Sequence, residues 1–246
     1  MTTDARTVAL ATEDHREPLP GADERLAGYG VMGLPFASGH YLALRRFPST
    51  PFGAPYSSVW HRDPTGRWTF FISAEPDASC PRYFDAAIDS SIRTTVVLDW
   101  TGPAHLEVAA GPLRWSLDFT TTPATAAMTA MSRAMPRSAW EHRGVLAAMS
   151  RASRPVLTAG RIRLLGTVPN GQWFRAAPTA VFAVARSTAS LDGAALGPLG
   201  PLPQQPHLGD FWLPQRGLLM AGESVFEAFD PTRHRAPRPA RTLADH

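Results

Sequence analysis

Apolar and polar positions alternate along most of this chain, which divides it into short strands separated by turn residues. Trp68, Phe70 and Ile72 line one face of a segment at Arg67–Ser73, and Leu113, Trp115, Leu117 and Phe119 alternate with Arg114, Ser116 and Asp118. Ile92, Val96, Leu98 and Trp100 share a face in the same way. A period of two is the mark of a half-buried strand. The pattern also predicts strands at Gly39–Phe47, Tyr56–Arg62, Ala104–Ala110, Arg161–Val168, Trp173–Ala176, Val181–Ser187, Ala189–Leu191, Phe211–Met220 and Glu223–Phe229. Asp63-Pro64-Thr65-Gly66, Thr101-Gly102-Pro103, Gly111-Pro112 and Asn170-Gly171 supply the turns. About nine or ten strands in hairpin order form an antiparallel meander, and a twisted sheet of that size curls into a barrel or splits into a two-sheet sandwich.

The period changes once, between Thr122 and Thr158. Thr122 is an N-cap candidate, and Pro123 sits at the first helical position, where its missing N–H does no harm. Met128, Met131 and Met135 recur at helical spacing before Pro136. Ser138 and Glu141 have the spacing of a capping box and predict a second helix that ends at Pro155. The two form a helical hairpin inserted into the sheet. Seven arginines lie between Pro123 and Arg163 against Glu141 alone, so the hairpin is basic and amphipathic. Such a hairpin can pack on the sheet, cover an apolar pocket, or lie on an anionic membrane surface.

Length and composition fit one domain. With 246 residues, 44% hydrophobic residues and seven tryptophans, the chain can bury a large core. Residues 28–230 are predicted to form this β-rich domain, with residues 1–27 as a flexible arm and residues 231–246 as a disordered, basic, proline-rich tail. All 24 basic residues are arginine, so lysine chemistry such as a Schiff base or a P-loop is excluded. Much of the net charge of +3 belongs to the tail, and no basic stripe with interleaved aromatics suggests nucleic acid. Cys80 is the single cysteine, which rules out an intramolecular disulfide. The acidic, polar start lacks the features of a signal peptide, which implies a cytoplasmic protein that can be peripheral to the membrane through its hairpin.

Leu98-Asp99-Trp100-Thr101-Gly102-Pro103, Gly111-Pro112-Leu113-Arg114-Trp115 and the segment from Arg161 to Arg175 resemble the lipocalin-like, or calycin, architecture. Within it they are similar to carotenoid hydratases (hydroxyneurosporene synthases) and to uncharacterised actinobacterial proteins. The resemblance implies a β-barrel with an apolar pocket but assigns no catalytic residue to this chain.

Candidate chemistry is sparse. Gly28-Tyr29-Gly30-Val31-Met32-Gly33 matches a dinucleotide fingerprint in spacing, but no helix signal follows it, so no cofactor is predicted. His61 and Asp63 can supply two metal ligands but have no third partner at short spacing, so no metal is predicted either. His40, Tyr56, His61 and Asp210 are the acid–base candidates. Trp68, Phe70, Trp115 and Trp173 are the candidate pocket lining, with Met128, Met131 and Met135 as a lid and Arg216 as a head-group contact. All are residue types that also serve as plain core or surface. The leading expectation is binding of a hydrophobic small molecule such as a lipid, polyprenoid or polyketide. The alternatives are a hydratase, isomerase or cyclase on the same scaffold and a protein that docks on an anionic membrane. The sequence leaves the oligomeric state open.

Overall fold

The computed structural model describes residues 3–242. Its strands are β1 (Glu24–Val31), β2 (Leu34–Pro35), β3 (Tyr41–Ser49), β4 (Tyr56–Arg62), β5 (Trp68–Ile72), β6 (Ser90–Arg93), β7 (Val96–Gly102), β8 (His105–Ala110), β9 (Leu113–Thr120), β10 (Leu165–Thr167), β11 (Trp173–Leu191), β12 (Ala194–Ala195), β13 (His207–Leu208), β14 (Phe211–Trp212), β15 (Leu218–Phe226) and β16 (Arg241–Thr242). The helices are α1 (Ala5–Glu13), α2 (Pro81–Phe84), α3 (Pro123–Ala134) and α4 (Arg143–Leu157).

One mixed sheet runs in the order β16-β6-β5-β4-β3-β1-β15-β11-β9-β8-β7, with β2, β10 and β12 attached to its members. Twist accumulated over so many strands curls it into a half-barrel. The mainly β class therefore matches the alternation. The two ends of the sheet, β16 and β7, do not pair with each other. The meanders β3-β4-β5 and β7-β8-β9 are antiparallel, whereas β6 pairs in parallel with β5 and with β16.

Both faces of the sheet are covered. Leu42 and Leu44 of β3 join one core cluster with Tyr29, Trp115 and Phe182; Tyr41, Ala43 and Phe47 of the same strand join another with Trp60, Trp68 and Phe70. A third cluster, of Met128, Leu146, Met149 and Leu157 with Val181 and Leu218, seats the helical hairpin on β11 and β15. The hairpin lies where β11, paired with β15 on one side, lacks a strand neighbour on the other, between its pairing with β10 at Trp173–Arg175 and with β9 from Ala183 onward. There Thr129 Oγ1 accepts from Val181 N at 2.9 Å and donates to Val181 O at 3.4 Å, satisfying an edge that would otherwise stay open.

Several expected boundaries move. Thr122 caps α3 as predicted, but Ser138 and Glu141 lie in a 3-10 turn without a side-chain cap. The second helix begins at Arg143, and Pro155 lies inside its last turn. Trp173–Leu191 is one strand of 19 residues instead of three short ones. The expected strand at Phe211–Met220 is a two-residue bridge followed by an irregular segment, and β15 starts at Leu218.

The predicted flexible arm contains α1, capped by Asp4, with Ala5 and Ala9 buried against the sheet. The predicted disordered tail is likewise placed through residue 242. Arg238 Nε donates to Asp85 at 2.8 Å, and Arg241 and Thr242 pair with β6. Proline removes regular structure there, but a charge-assisted contact with the buried Asp85 still holds the segment. Residues 243–246 of that expected tail lie outside the described residues.

The central strand β1 has no counterpart among the expected strands, because its glycines break the apolar alternation. Gly28 and Gly30 lie within it, and a Cβ at either would collide with the carbonyl oxygen of Arg46 or Leu44 on β3. A Cβ at Gly33 would meet the Tyr41 hydroxyl. The three glycines of the fingerprint thus allow β1 to approach β3 closely, and they open no helix.

Candidate ligand site

Successive side chains of a strand point to opposite faces, so Arg45 and Arg46 of β3 separate. Arg46 meets Glu13 of α1 in a bidentate pair at 2.8 and 2.7 Å. Arg45 goes to the other face, with Tyr41, Ala43 and Phe47, and only 5% of it is exposed. Among the described residues it has no carboxylate partner.

The guanidinium is held by neutral groups. Nη1 donates to the carbonyls of Val31 and Leu44, both at 2.8 Å, and Nη2 donates to Met32 O at 3.3 Å. Its carbon lies 4.5 Å from the Trp60 ring centre and 5.6 Å from that of Phe211. A guanidinium has five N–H donors. The Nε–H and one Nη2–H therefore have no acceptor among the described residues. Burial lowers its pKa to about 10, so it is still charged at neutral pH. The acidic groups around it stay protonated, because burial raises the pKa of Tyr41, Tyr56 and Cys80.

Arg45 lines a cavity of about 80 Å³. Phe47, Ile162, Leu164, Phe211 and Met220 provide its apolar walls. Gly28 and Gly222, paired across β1 and β15, leave room beside them. The segment carrying Ile162 and Leu164 follows α4, and Phe211 belongs to β14. The segment after the hairpin and the late loop thus close over the sheet at this point. At its rim Arg163 pairs with Asp210, whose carboxylate also accepts from Thr167 N at 3.2 Å.

The expected site residues are scattered. His40 and His61 do come together, with Nδ1 of one 2.9 Å from Nε2 of the other and the rings stacked at 5.1 Å. They belong to the face of β4 opposite Tyr56, which is buried beside Cys80 with its hydroxyl 3.7 Å from the sulfur. Asp210 stands at the rim, through Arg163. Trp68 and Phe70 are plain core in one cluster and Trp115 in another, while Trp173 is half-buried beside Arg175. Met128 is buried under the hairpin, Met131 is exposed, and Met135 lines a different cavity, so the three form no lid over Arg45. Arg216 is exposed and donates to Thr158 Oγ1 at 2.6 Å.

Sequence reasoning passed over Arg45, although a signal was present. Tyr41, Leu42, Ala43, Leu44 and Phe47 make both faces of β3 apolar, so either Arg45 or Arg46 has to be buried. Among the described residues no cluster of three metal-ligating side chains is found, and no helix is long and apolar enough to cross a membrane.

Fold and site define a curled β half-barrel with a small apolar cavity and a buried arginine. No family model matches the chain, and no curated protein matches it. Among solved structures it is similar to the crystal structure of acetoacetate decarboxylase from Legionella pneumophila subsp. pneumophila str. Philadelphia 1. The likeness covers 93% of this chain and 96% of that chain at 8% identity, with a TM-score of 0.39. At that level it carries no functional argument.

Proposed function

We propose that the protein binds a small organic acid, with the carboxylate on Arg45 and a short apolar group against Phe47, Ile162, Leu164, Phe211 and Met220. The observation that carries this reading is a buried cation with no ion-pair partner among the described residues; the Glu223 carboxylate, which also borders the cavity, pairs with Arg137. Leaving an ionised group out of water costs several kcal/mol unless it is paired, and an anion in the cavity supplies the pair. Nε–H and Nη2–H together have the fork geometry that carboxylates accept.

Size narrows the ligand. A buried water needs roughly 10–15 Å³, so about 80 Å³ admits on the order of five waters or an acid of a few carbons. Drug-sized ligands occupy pockets of about 300–1,000 Å³, which argues against the expected polyprenoid at this place.

Titration calorimetry with acetate, butyrate, hexanoate and the neutral butanol tests the proposal. Butyrate should bind saturably, butanol should not, and affinity should fall again once the chain outgrows the cavity. Arg45→Met should abolish butyrate binding. Undiminished butyrate binding by the variant, or no saturable heat with any of these acids, would overturn the reading.

A further inference from the structure

The same three strands serve a second cavity on their other face. Gly28 of β1, Ser224 of β15 and Ala176 of β11 face Arg45, whereas Arg25, Val225 and Arg175, which are in register across those strands, line a space of about 480 Å³. Leu19 and Pro20, the end of α3 and the 3-10 turn at Arg137–Glu141 complete its walls.

Two polar atoms there lack partners among the described residues. Ser132 is 3% exposed, and its hydroxyl makes no hydrogen bond; Arg25 Nε is buried and equally unpaired. A helical serine ordinarily bonds back to the carbonyl four residues earlier. The charge is also unbalanced. Arg25, Arg133, Arg137 and Arg175 line the space against Glu141 and Glu223. Arg137 lies 3.5 Å from Glu223, and the other three arginines have no ion-pair partner among the described residues.

We propose that this cavity is a binding site for a bulky organic anion, whose charged group meets Arg25, Arg175 and the Ser132 hydroxyl and whose apolar body lies against Trp140, Met135 and Leu19. Its volume falls within the range of about 300–1,000 Å³ usual for small-molecule sites. Unmatched cations supply the attraction, and the unpaired hydroxyl supplies a donor that a carboxylate or sulfonate satisfies.

The probe is 2-naphthoate, which is too large for the Arg45 cavity. Titration calorimetry should show one saturable site in the wild type and in Arg45→Met, weakened about tenfold in Arg175→Gln, as expected for loss of one charged hydrogen bond. Ser132→Ala should weaken naphthoate several-fold and, without ligand, raise Tm, because a buried unpaired hydroxyl has been removed. Three results would overturn the proposal: no saturable binding to the wild type, equal binding by Arg175→Gln, or a lower Tm for ligand-free Ser132→Ala. Retained naphthoate binding in Arg45→Met keeps this test separate from that of the small-acid site.

Discussion

Arg45→Met separates a functional arginine from a structural one by its effect on the stability that ligand adds. A guanidinium brought down from its ordinary value to about 10 by burial carries a charging penalty of roughly 3 kcal/mol, at about 1.4 kcal/mol per pH unit. Methionine removes that penalty. It also removes three charge-assisted hydrogen bonds to the carbonyls of Val31, Leu44 and Met32, about 1.5–3 kcal/mol each, and the contact with Trp60, about 1–2 kcal/mol. Loss exceeds gain. Denaturant unfolding should therefore place the variant roughly 2–8 kcal/mol below the wild type, and the response to ligand carries the distinction. Ligand completes the argument. Butyrate at about 100 times its Kd adds about 2.7 kcal/mol to the wild type, or about 5–10 °C in Tm for a domain of this size. The variant should show no shift. A variant that keeps the butyrate shift would show that Arg45 is a structural brace and that the reasoning above is wrong.

Three further predictions concern the scaffold. His61 is pushed down to about 4, chiefly by burial and then by His40, with Asp63 opposing. The unfolded chain therefore binds a proton below pH 6.5 that the folded one refuses until about pH 4. Stability is full above 6.5 and falls by up to roughly 3 kcal/mol between 6.5 and 4, a slope that His61→Gln should flatten in urea unfolding at several pH values. Buried Glu24 accepts from Arg82 at 2.5 Å and from the Tyr83 hydroxyl at 2.8 Å, joining β1 to α2; Arg82→Met should cost about 3–5 kcal/mol and Glu24→Leu/Arg82→Met less, read as a double-mutant cycle. Gly28→Ala drives a Cβ into backbone and should lower Tm sharply or prevent folding. Gly144→Ala, which meets open space in the first turn of α4, should raise stability by about 0.5–1 kcal/mol, and equal melts for the two would contradict the steric account.

What the sequence reveals follows from the range of each interaction. Local signals survive into the structure: the alternation of Leu113 to Phe119 becomes β9, Tyr56–Arg62 becomes β4, and Thr122 with Pro123 starts α3. Pairing between distant segments leaves no such trace. β1 is joined to β15 across most of the chain length, and its hallmark is a pair of glycines that interrupt the local apolar alternation. The basic, proline-rich tail is another case, since the contact that places Arg238 is with Asp85, far away in sequence.

The candidate site was hidden for the same reason and by the same strand. An arginine in an apolar strand looks like an exposed position of an amphipathic pattern until the second face is known to be buried. The alternation of β3 is apolar on both sides, and such a strand belongs in the interior of a sheet covered on both faces. Two arginines in succession on it cannot both reach solvent. Glu13 of α1 neutralises Arg46, and nothing described in the chain neutralises Arg45. The aromatic positions picked as lining were large and apolar, and such residues fill cores by default. A binding site is better sought where the chain departs from what packing prefers. Here the departure is one uncompensated charge beside Gly28 and Gly222, in a cavity that the sheet leaves open.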